Sequence, residues 1–397
     1  MASHLDTHHN MSGFHANRDV VLVFVAKSVR TFCYGYLGIL LPLYLVDLGL
    51  SAPGIGAFVT LTLAASAGLT WAIRSPAERL GAGGALILLA VLSLIAAIVL
   101  LVTRQPWVAV AAAMVGNVAV GAGETGPFLS IEQVVVARAA APAQRTTVLS
   151  LYNLLGYGAA AGGAAAVAVG DPQVLFAGFL GGAVVQILAY AGLGRVALSP
   201  PPAGVATAAT PTIRRIAALF ALDSFAGGFV LQSLVTYFLH VRFELELAAL
   251  GRVFFVAQLL TAASLLLAPW LARRLGLLPT MVVTHLASNV FLIGIAAAPS
   301  AALAIALLFA RQLLSQIDVP TRQAWVMTIV PDHEREAAAT TTTLWRTAAQ
   351  AVTPLATGWL MQGLALSAPF VLGGGLKIVY DVLLWRMFKD LPPHDQR

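Results

Sequence analysis

The chain is built from runs of about 20 apolar residues, the length an α-helix needs to cross the hydrocarbon of a bilayer. Charge is correspondingly scarce: 23 Lys and Arg and 17 Asp and Glu in 397 residues, against a hydrophobic fraction of 59%. A soluble domain carries charge at about a quarter of its positions, so an ordinary globular enzyme is excluded. Backbone in lipid must satisfy its own hydrogen bonds, which makes the runs helices. They fall at 20–45, 53–73, 82–103, 106–137, 146–169 and 173–197, then at 213–240, 248–272, 278–298, 300–329, 335–362 and 367–388. We number these spans 1 to 12. The single cysteine, Cys33, rules out an internal disulfide framework and a Cys-rich metal cluster.

Basic residues set the expected orientation. With the N-terminus inside, 14 of the 23 fall on the cytoplasmic side, three outside (Arg104, Arg242, Arg252) and six within spans. That asymmetry predicts cytoplasmic termini. The leader Met1–Arg18 is polar and lacks the apolar core of a cleavable signal. Its His4, His8, His9 and His15 read as a flexible tail rather than a metal site. Only three basic residues are lysine, a bias of GC-rich bacterial genomes, so a bacterial cytoplasmic membrane is the expected location.

The Pro/Ala-rich stretch 198–212 breaks the pattern near the middle and reads as a cytoplasmic linker. The expected division is a polar tail (1–19), a six-helix half (20–197), the linker, a second half (213–388) and a C-terminal tail (389–397). Internal repetition supports it. A shift of 190 places Glu132-Gln133 on Arg322-Gln323 and Arg145 on Arg335. A shift of 195 places Arg79-Leu80-Gly81 on Arg274-Leu275-Gly276, and one of 196 places Lys27-Ser28 on Asp223-Ser224.

The loop between spans 2 and 3, Arg74-Ser75-Pro76-Ala77-Glu78-Arg79-Leu80-Gly81-Ala82-Gly83, resembles the G-x-L-A-D-R-x-G-R-K loop of the major facilitator superfamily. Glu78, Arg79 and Gly81 keep the pattern, as a conformational loop; the opening glycine and trailing basic pair are absent. With the two-half repeat, the resemblance covers essentially the whole chain. It implies an all-α membrane protein of twelve transmembrane helices in two pseudo-symmetric six-helix halves, with the site between them. Span 5 contains Gly158-Ala159-Ala160-Ala161-Gly162-Gly163, similar to the G-P-x-x-G-G motif of proton-coupled exporters of that superfamily. The same residues also suit ordinary close helix packing. Span 4 lacks the central arginine usual in the superfamily's drug exporters.

Eleven ionisable residues lie within spans: Lys27, Arg30, Glu124, Glu132, Asp223, Arg311, Asp318, Arg322, Arg346, Lys377 and Asp381. Each would cost at least ~2.5 kcal/mol facing lipid, so each needs a cavity or a partner. Eight of them lie on spans 1, 4, 7 and 10, which line the cavity in the resembled fold. Arg30, Arg311 and Arg346 sit roughly 15 Å deep, near the midplane, and are candidate substrate ligands with Tyr34 and Asn117. Gln232, Tyr237 and Gln258 are further candidate cavity liners.

Glu124 and Asp318, beside the helix-distorting Pro127 and Pro320, are the candidate proton-coupling carboxylates. The repeat-related opposites Glu132 and Arg322 are a candidate gate pair closing the cytoplasmic side in the outward-open state, and Lys27 and Asp223 are a second candidate pair, which spans 1 and 7 need not bring together at that depth. Lys377 and Asp381, four apart, are expected to pair structurally, and His285 to be a core residue. Residues 331–336 read as the cap of span 11 and lack metalloprotease spacing. No phosphate loop or nucleophile constellation appears.

The expectation is a secondary active transporter, not an enzyme, working by alternating access without a cofactor. Proton-coupled export of a small organic compound, an anionic one included, leads; uptake by symport and metal-ion export are the alternatives. A non-transporting membrane receptor and an intramembrane enzyme fit the repeat and the inward charges less well. The expected partners are a small-molecule substrate, protons and the lipid bilayer, not nucleic acid, with the chain acting as a monomer.

Overall fold

The computed structural model describes residues 18–118, 126–139, 145–168, 171–194, 210–331 and 334–390. The first half comprises α1 (Arg18–Asp47), α2 (Ala52–Ala72), α3 (Arg74–Val102), α4 (Pro106–Val115), α5 (Pro127–Ala139), α6 (Arg145–Val167) and α7 (Pro172–Ala191). The second comprises α8 (Pro211–Gly228), α9 (Gln232–Phe243), α10 (Leu247–Leu275), α11 (Leu277–Ala297), α12 (Ala301–Ser315), α13 (Asp318–Ile329), α14 (Arg335–Gly363) and α15 (Ala368–Phe388). Three expected spans are each two helices end to end: α4 and α5 form span 4, α8 and α9 span 7, α12 and α13 span 10. The fold is thus twelve spans in two sets of six. Among the described residues nine helical segments are long and apolar enough to cross a membrane unaided. Exposed tryptophans mark both ends, Trp71 and Trp270 at one and Trp107 and Trp359 at the other, as at membrane interfaces.

The breaks have local causes. α4 ends at Gly116, and Asn117 takes a left-handed φ of 50°. Pro127, which lacks an N–H, opens α5. α8 stops after Gly227-Gly228, where Gly228 lies so close to α14 that a Cβ would press on Thr353. The expected linker falls mostly outside the described residues; Pro211 and Thr212 already belong to α8, capped by Thr210. The candidate carboxylate Glu124 and the leader histidines also lie outside them.

The repeat is visible in the backbone. Gly81 interrupts α3 at φ 73° and ψ 178°, and Gly276 separates α10 from α11 at φ 88° and ψ 164°. A side chain at either φ would be strained, which explains a glycine at both repeat-related positions.

Call the end of the bundle carrying Arg18 and Phe388 proximal and the other distal. The halves meet closely at the distal end. Gly358 of α14 lies against the backbone of Ala52 at the start of α2, and Gly251 of α10 against that of Ala164 on α6. Ser233 Oγ donates to the Gly38 carbonyl at 3.1 Å, and Leu355 N–H to Thr60 Oγ1 at 2.9 Å. The glycine-rich run of span 5 instead packs α6 against α1 within the first half: Gly163 abuts the Phe32 backbone, and Ala160 abuts Gly35.

Inside the first half, Arg30 and Glu132 form a buried pair, 1% and 0% exposed. Arg30 donates through Nη1 at 2.9 Å and Nη2 at 2.6 Å, one to each carboxylate oxygen. Tyr152 of α6 and Tyr190 of α7 each donate to the same carboxylate at 2.6 Å. The guanidinium lies 4.5 Å from the Phe128 ring centroid. This corrects two expectations. Glu132 does not face Arg322, because it is the hydrogen-bonding centre of its own half. Arg30 is committed to Glu132 and lines neither cavity described below.

Replacing Glu132 by Leu strands a buried guanidinium, and about 3–5 kcal/mol of stability should be lost. The melting temperature of the purified protein should fall, and Arg30→Met in the same chain should recover most of the loss. An unchanged single variant would mean the pair does not hold this half together. Orientation is checked by single cysteines in a Cys33→Ala background. Gln105 and Glu244 positions should react with an impermeant maleimide on intact cells, Arg138 and Arg214 positions only after permeabilisation; the reverse pattern would invert the topology.

Candidate functional site

The second half carries the counterpart of the Arg30–Glu132 pair with the signs exchanged. Here the acid is on span 7, Asp223, and the arginine on span 10, Arg322, at 3.4 Å. Arg322 also donates to Asp318, one turn earlier on α13, at 2.9 Å. Lys377 of α15 reaches Asp223 at 2.5 Å. Asp381, one turn beyond Lys377, accepts from His285 Nδ1 of α11 at 2.7 Å and from Asn289 at 3.2 Å. The other imidazole nitrogen lies 3.4 Å from Asp223 and 3.5 Å from Lys377. Four spans therefore meet in one buried polar cluster.

Several expected pairings are corrected by this cluster. Lys377 and Asp381 do not bond each other: both point inward, but each finds a closer partner on a different helix. Asp223 is engaged within its own half and does not meet Lys27, whose ammonium sits 4.2 Å over the Tyr152 ring. His285 is buried, as expected of a core residue, yet it links two carboxylates. Glu334 occupies the N-cap position of α14 without capping it; its carboxylate takes the Thr210 hydroxyl at 3.2 Å. Glu78 and Arg79 are exposed at the proximal end, beside Gly81.

Unlike the closed network of the first half, the cluster borders a cavity of about 460 Å³ near the middle of the bundle. Asp223, His285, Asp318, Arg322 and Lys377 form one wall, and Arg311 and Arg346 face it. Asn117, Thr62, Ser66 and Tyr157 are contributed by the first half, and Gln232, Gln312 and Gln350 by the second. Four fixed cations line this space against two carboxylates. Arg311 bonds only neutral Gln312, at 2.8 Å, and Arg346 donates through Nε to Ser224 at 3.0 Å. Neither has a carboxylate partner among the described residues. Arg311 Nε and Asn117 Oδ1 are buried without any hydrogen-bond partner there.

A second cavity of about 810 Å³ adjoins the first, sharing Tyr157, Gln232, Val319 and Gln323 with it. It occupies the proximal half of the bundle between α6 and α10, with Lys27, Tyr34 and Gln133 on its inner side. Tyr34 donates its hydroxyl to the Asn117 carbonyl at 2.8 Å. Gln258 lines the second cavity and donates to Gln232 at 3.0 Å. Tyr237 lines neither.

Of the candidate substrate ligands, the structure thus brings Arg311, Arg346 and Asn117 together, puts Tyr34 in the adjoining space and withdraws Arg30. Sequence reasoning missed His285 and Asn289, spaced four apart on α11 so that both meet Asp381. The available signal was this polar i, i+4 pair, the two largest polar side chains of a span whose other polar residues are Thr and Ser.

No family model matches the chain. An uncharacterized membrane protein of Saccharomyces cerevisiae is 23% identical to it over 423 aligned positions, covering 94% of each chain. Solved structures similar in fold include the nucleoside transporter NupG (TM-score 0.73, 14% identity, 94% of this chain and 99% of that one). They also include the inward-open xylose transporter XylE of E. coli (0.72, 12%, 95% and 98%) and the human organic anion transporter MFSD10 (0.63, 17%, 92% and 99%). The chain therefore carries the fold of the major facilitator superfamily, in two six-span halves.

Proposed function

We propose that the protein is a secondary transporter of small organic anions, working by alternating access around the 460 Å³ cavity. The observation that carries this is the pair Arg311 and Arg346, two guanidiniums lining a midplane cavity and, among the described residues, bonded to neutral side chains rather than to a carboxylate. A guanidinium presents a planar fork of donors matched to carboxylate or phosphate oxygens, and in a site shielded from water its attraction to an anion is strong. The lining glutamines and Asn117 add neutral donors and acceptors around the head of the substrate. One structure of the same fold is that of an organic anion transporter, which accords with this reading.

Coupling follows from the neighbouring pairs. Asp318 and Asp223 are held by Arg322 and Lys377, which line the same cavity. An anion that draws either cation toward itself leaves a carboxylate without its counter-charge, and that carboxylate then takes up a proton. Anion and carboxylate thus compete for one set of cations, and the linkage between anion and proton is positive: binding of either favours binding of the other. We take the proximal end as cytoplasmic, so that the sealed distal end makes this an inward-facing state; export, the direction we propose, is supported by the span 5 run similar to that of proton-coupled exporters. The ligand atoms of Asp223, His285 and Asp318 lie within 4.8 Å of one another and suit a metal ion in geometry. Lys377 and Arg322 already occupy these carboxylates, so a cation would have to displace two fixed positive charges.

Growth of an exporter-deficient bacterial host on a panel of toxic organic anions and cations tests the reading, at matched expression of each variant. The wild-type chain should protect against anions. Arg311→Gln should lose that protection by at least about tenfold in inhibitory concentration, the loss expected of one charge-assisted contact. Asp318→Asn should lose protection while retaining binding of the same anion to the purified protein. Sensitisation by the wild type would reverse the direction, and protection against cations alone would overturn the substrate class.

A further inference from the structure

The wall of the second cavity is chemically divided. Its polar part is Lys27, Gln133, Gln258 and Gln323, of which Gln323 also lines the first cavity and Gln258 bonds Gln232, which lines both; its apolar part is Leu151, Leu154, Leu265, Leu266 and Pro269. Leu154 is 42% exposed and Leu266 70% exposed, so the apolar side borders both the cavity and the surroundings of the bundle. Residues 150–160 begin five positions into α6, roughly 8 to 22 Å along the helix from its proximal end. That depth is within the hydrocarbon of one leaflet, not the aqueous phase.

The gap has a structural cause. At the distal end α6 and α10 are drawn together by the approach of Gly251 to Ala164. Farther along α10, Pro269 removes a backbone donor inside the helix, and Leu265 and Leu266 of α10 with Leu151 and Leu154 of α6 line the space beside the smaller Gly156, Ala160 and Ala262. The space between the two helices on the proximal side of that approach is the second cavity.

A vestibule serving only a hydrophilic solute gains nothing from a leucine wall continuous with the bilayer core. An apolar wall joined to a cationic chamber is complementary to one kind of molecule. We propose that the transported anion is an amphiphile, its charged head among Arg311, Arg346 and Lys377 and its apolar tail in the second cavity. The tail reaches the hydrocarbon between α6 and α10, so the substrate passes between the proximal leaflet and the cavity sideways. This rests on the anion reading above and adds to it the tail and the lateral route.

The test uses the full chain in proteoliposomes and two permanently charged probes with one head, ethanesulfonate and decanesulfonate. Decanesulfonate should half-saturate transport at a concentration at least about tenfold lower, since its added methylenes are buried in the leucine-lined cavity. Leu154→Ser with Leu266→Ser should bring the two probes to within about twofold, whereas Leu188→Ser, on the outer face of α7, should keep the wild-type ratio. Arg311→Gln should lose flux of both. A wild-type protein that moves both probes equally well overturns the tail site and leaves the anion reading standing. A preference that survives in the double variant assigns it to partition into the bilayer and also overturns the tail site. If neither probe moves, the anion reading fails and this inference fails with it.

Discussion

Charge inside a membrane protein has two stable resolutions: closure on a partner of opposite sign, or exposure to a polar cavity. Each half of this protein takes a different one, and much of the structure depends on that difference. In the first half Glu132 receives Arg30 and two tyrosine hydroxyls, so every lone pair that the carboxylate offers toward its neighbours is used. In the second half the related position is Arg322, and its partners Asp318 and Asp223 are shared with the cavity wall. Both arrangements join the first and fourth spans of a half. Only the sign and the degree of closure differ.

Function is therefore divided unevenly between halves related by duplication. The first half closes its Arg30–Glu132 pair within itself, and among the described residues it contributes neutral groups to the cavity: Thr62, Ser66, Asn117 and Tyr157. Among the described residues, the cations and carboxylates of the 460 Å³ cavity all come from the second half. In the proposed cycle this asymmetry has a use. A substrate held by charges on one half and hydrogen-bonded by the other can change its neutral contacts as the halves rock while keeping its ionic ones.

The span pattern, the two halves and the paired loop glycines were legible in the sequence because each rests on local chemistry: apolar run length, a polar linker, and a conformation that only glycine adopts without strain. Depth nominated Arg311 and Arg346, which line the cavity, but it nominated Arg30 as well, which closes on Glu132 instead. The partners of the buried charges were not. Helical periodicity assigns a residue to a face, but does not say which neighbour that face meets. Repeat symmetry pointed Glu132 at Arg322 across the interface, whereas spans 5 and 6 of its own half surround it with Tyr152 and Tyr190. Tyrosine hydroxyls do not register in a survey of formal charges, so the sink for Glu132 was invisible. The same limit hid His285, whose role depends on Asp381 turning away from Lys377. The helix breaks left partial signals, Gly116-Asn117 and Gly227-Gly228, which mark where a span can bend but not that it does.

The distal seal shows why such a molecule can switch between states at all. Its contacts are approaches of backbone to backbone through Gly251 and Gly358, with hydrogen bonds such as Ser233 to Gly38 and Leu355 to Thr60. Each such hydrogen bond contributes only about 1 kcal/mol net, because the separated groups can bond to water. No ion pair among the described residues spans the seal. By contrast, opening the Arg30–Glu132 pair would strand two charges in a dry core. The low-cost surface therefore lies between the halves and the high-cost one within a half, so motion is channelled into separation of intact bodies. A ligand needs to favour one arrangement by only a few kcal/mol to shift the population, which is within the reach of two guanidiniums closing on one anion.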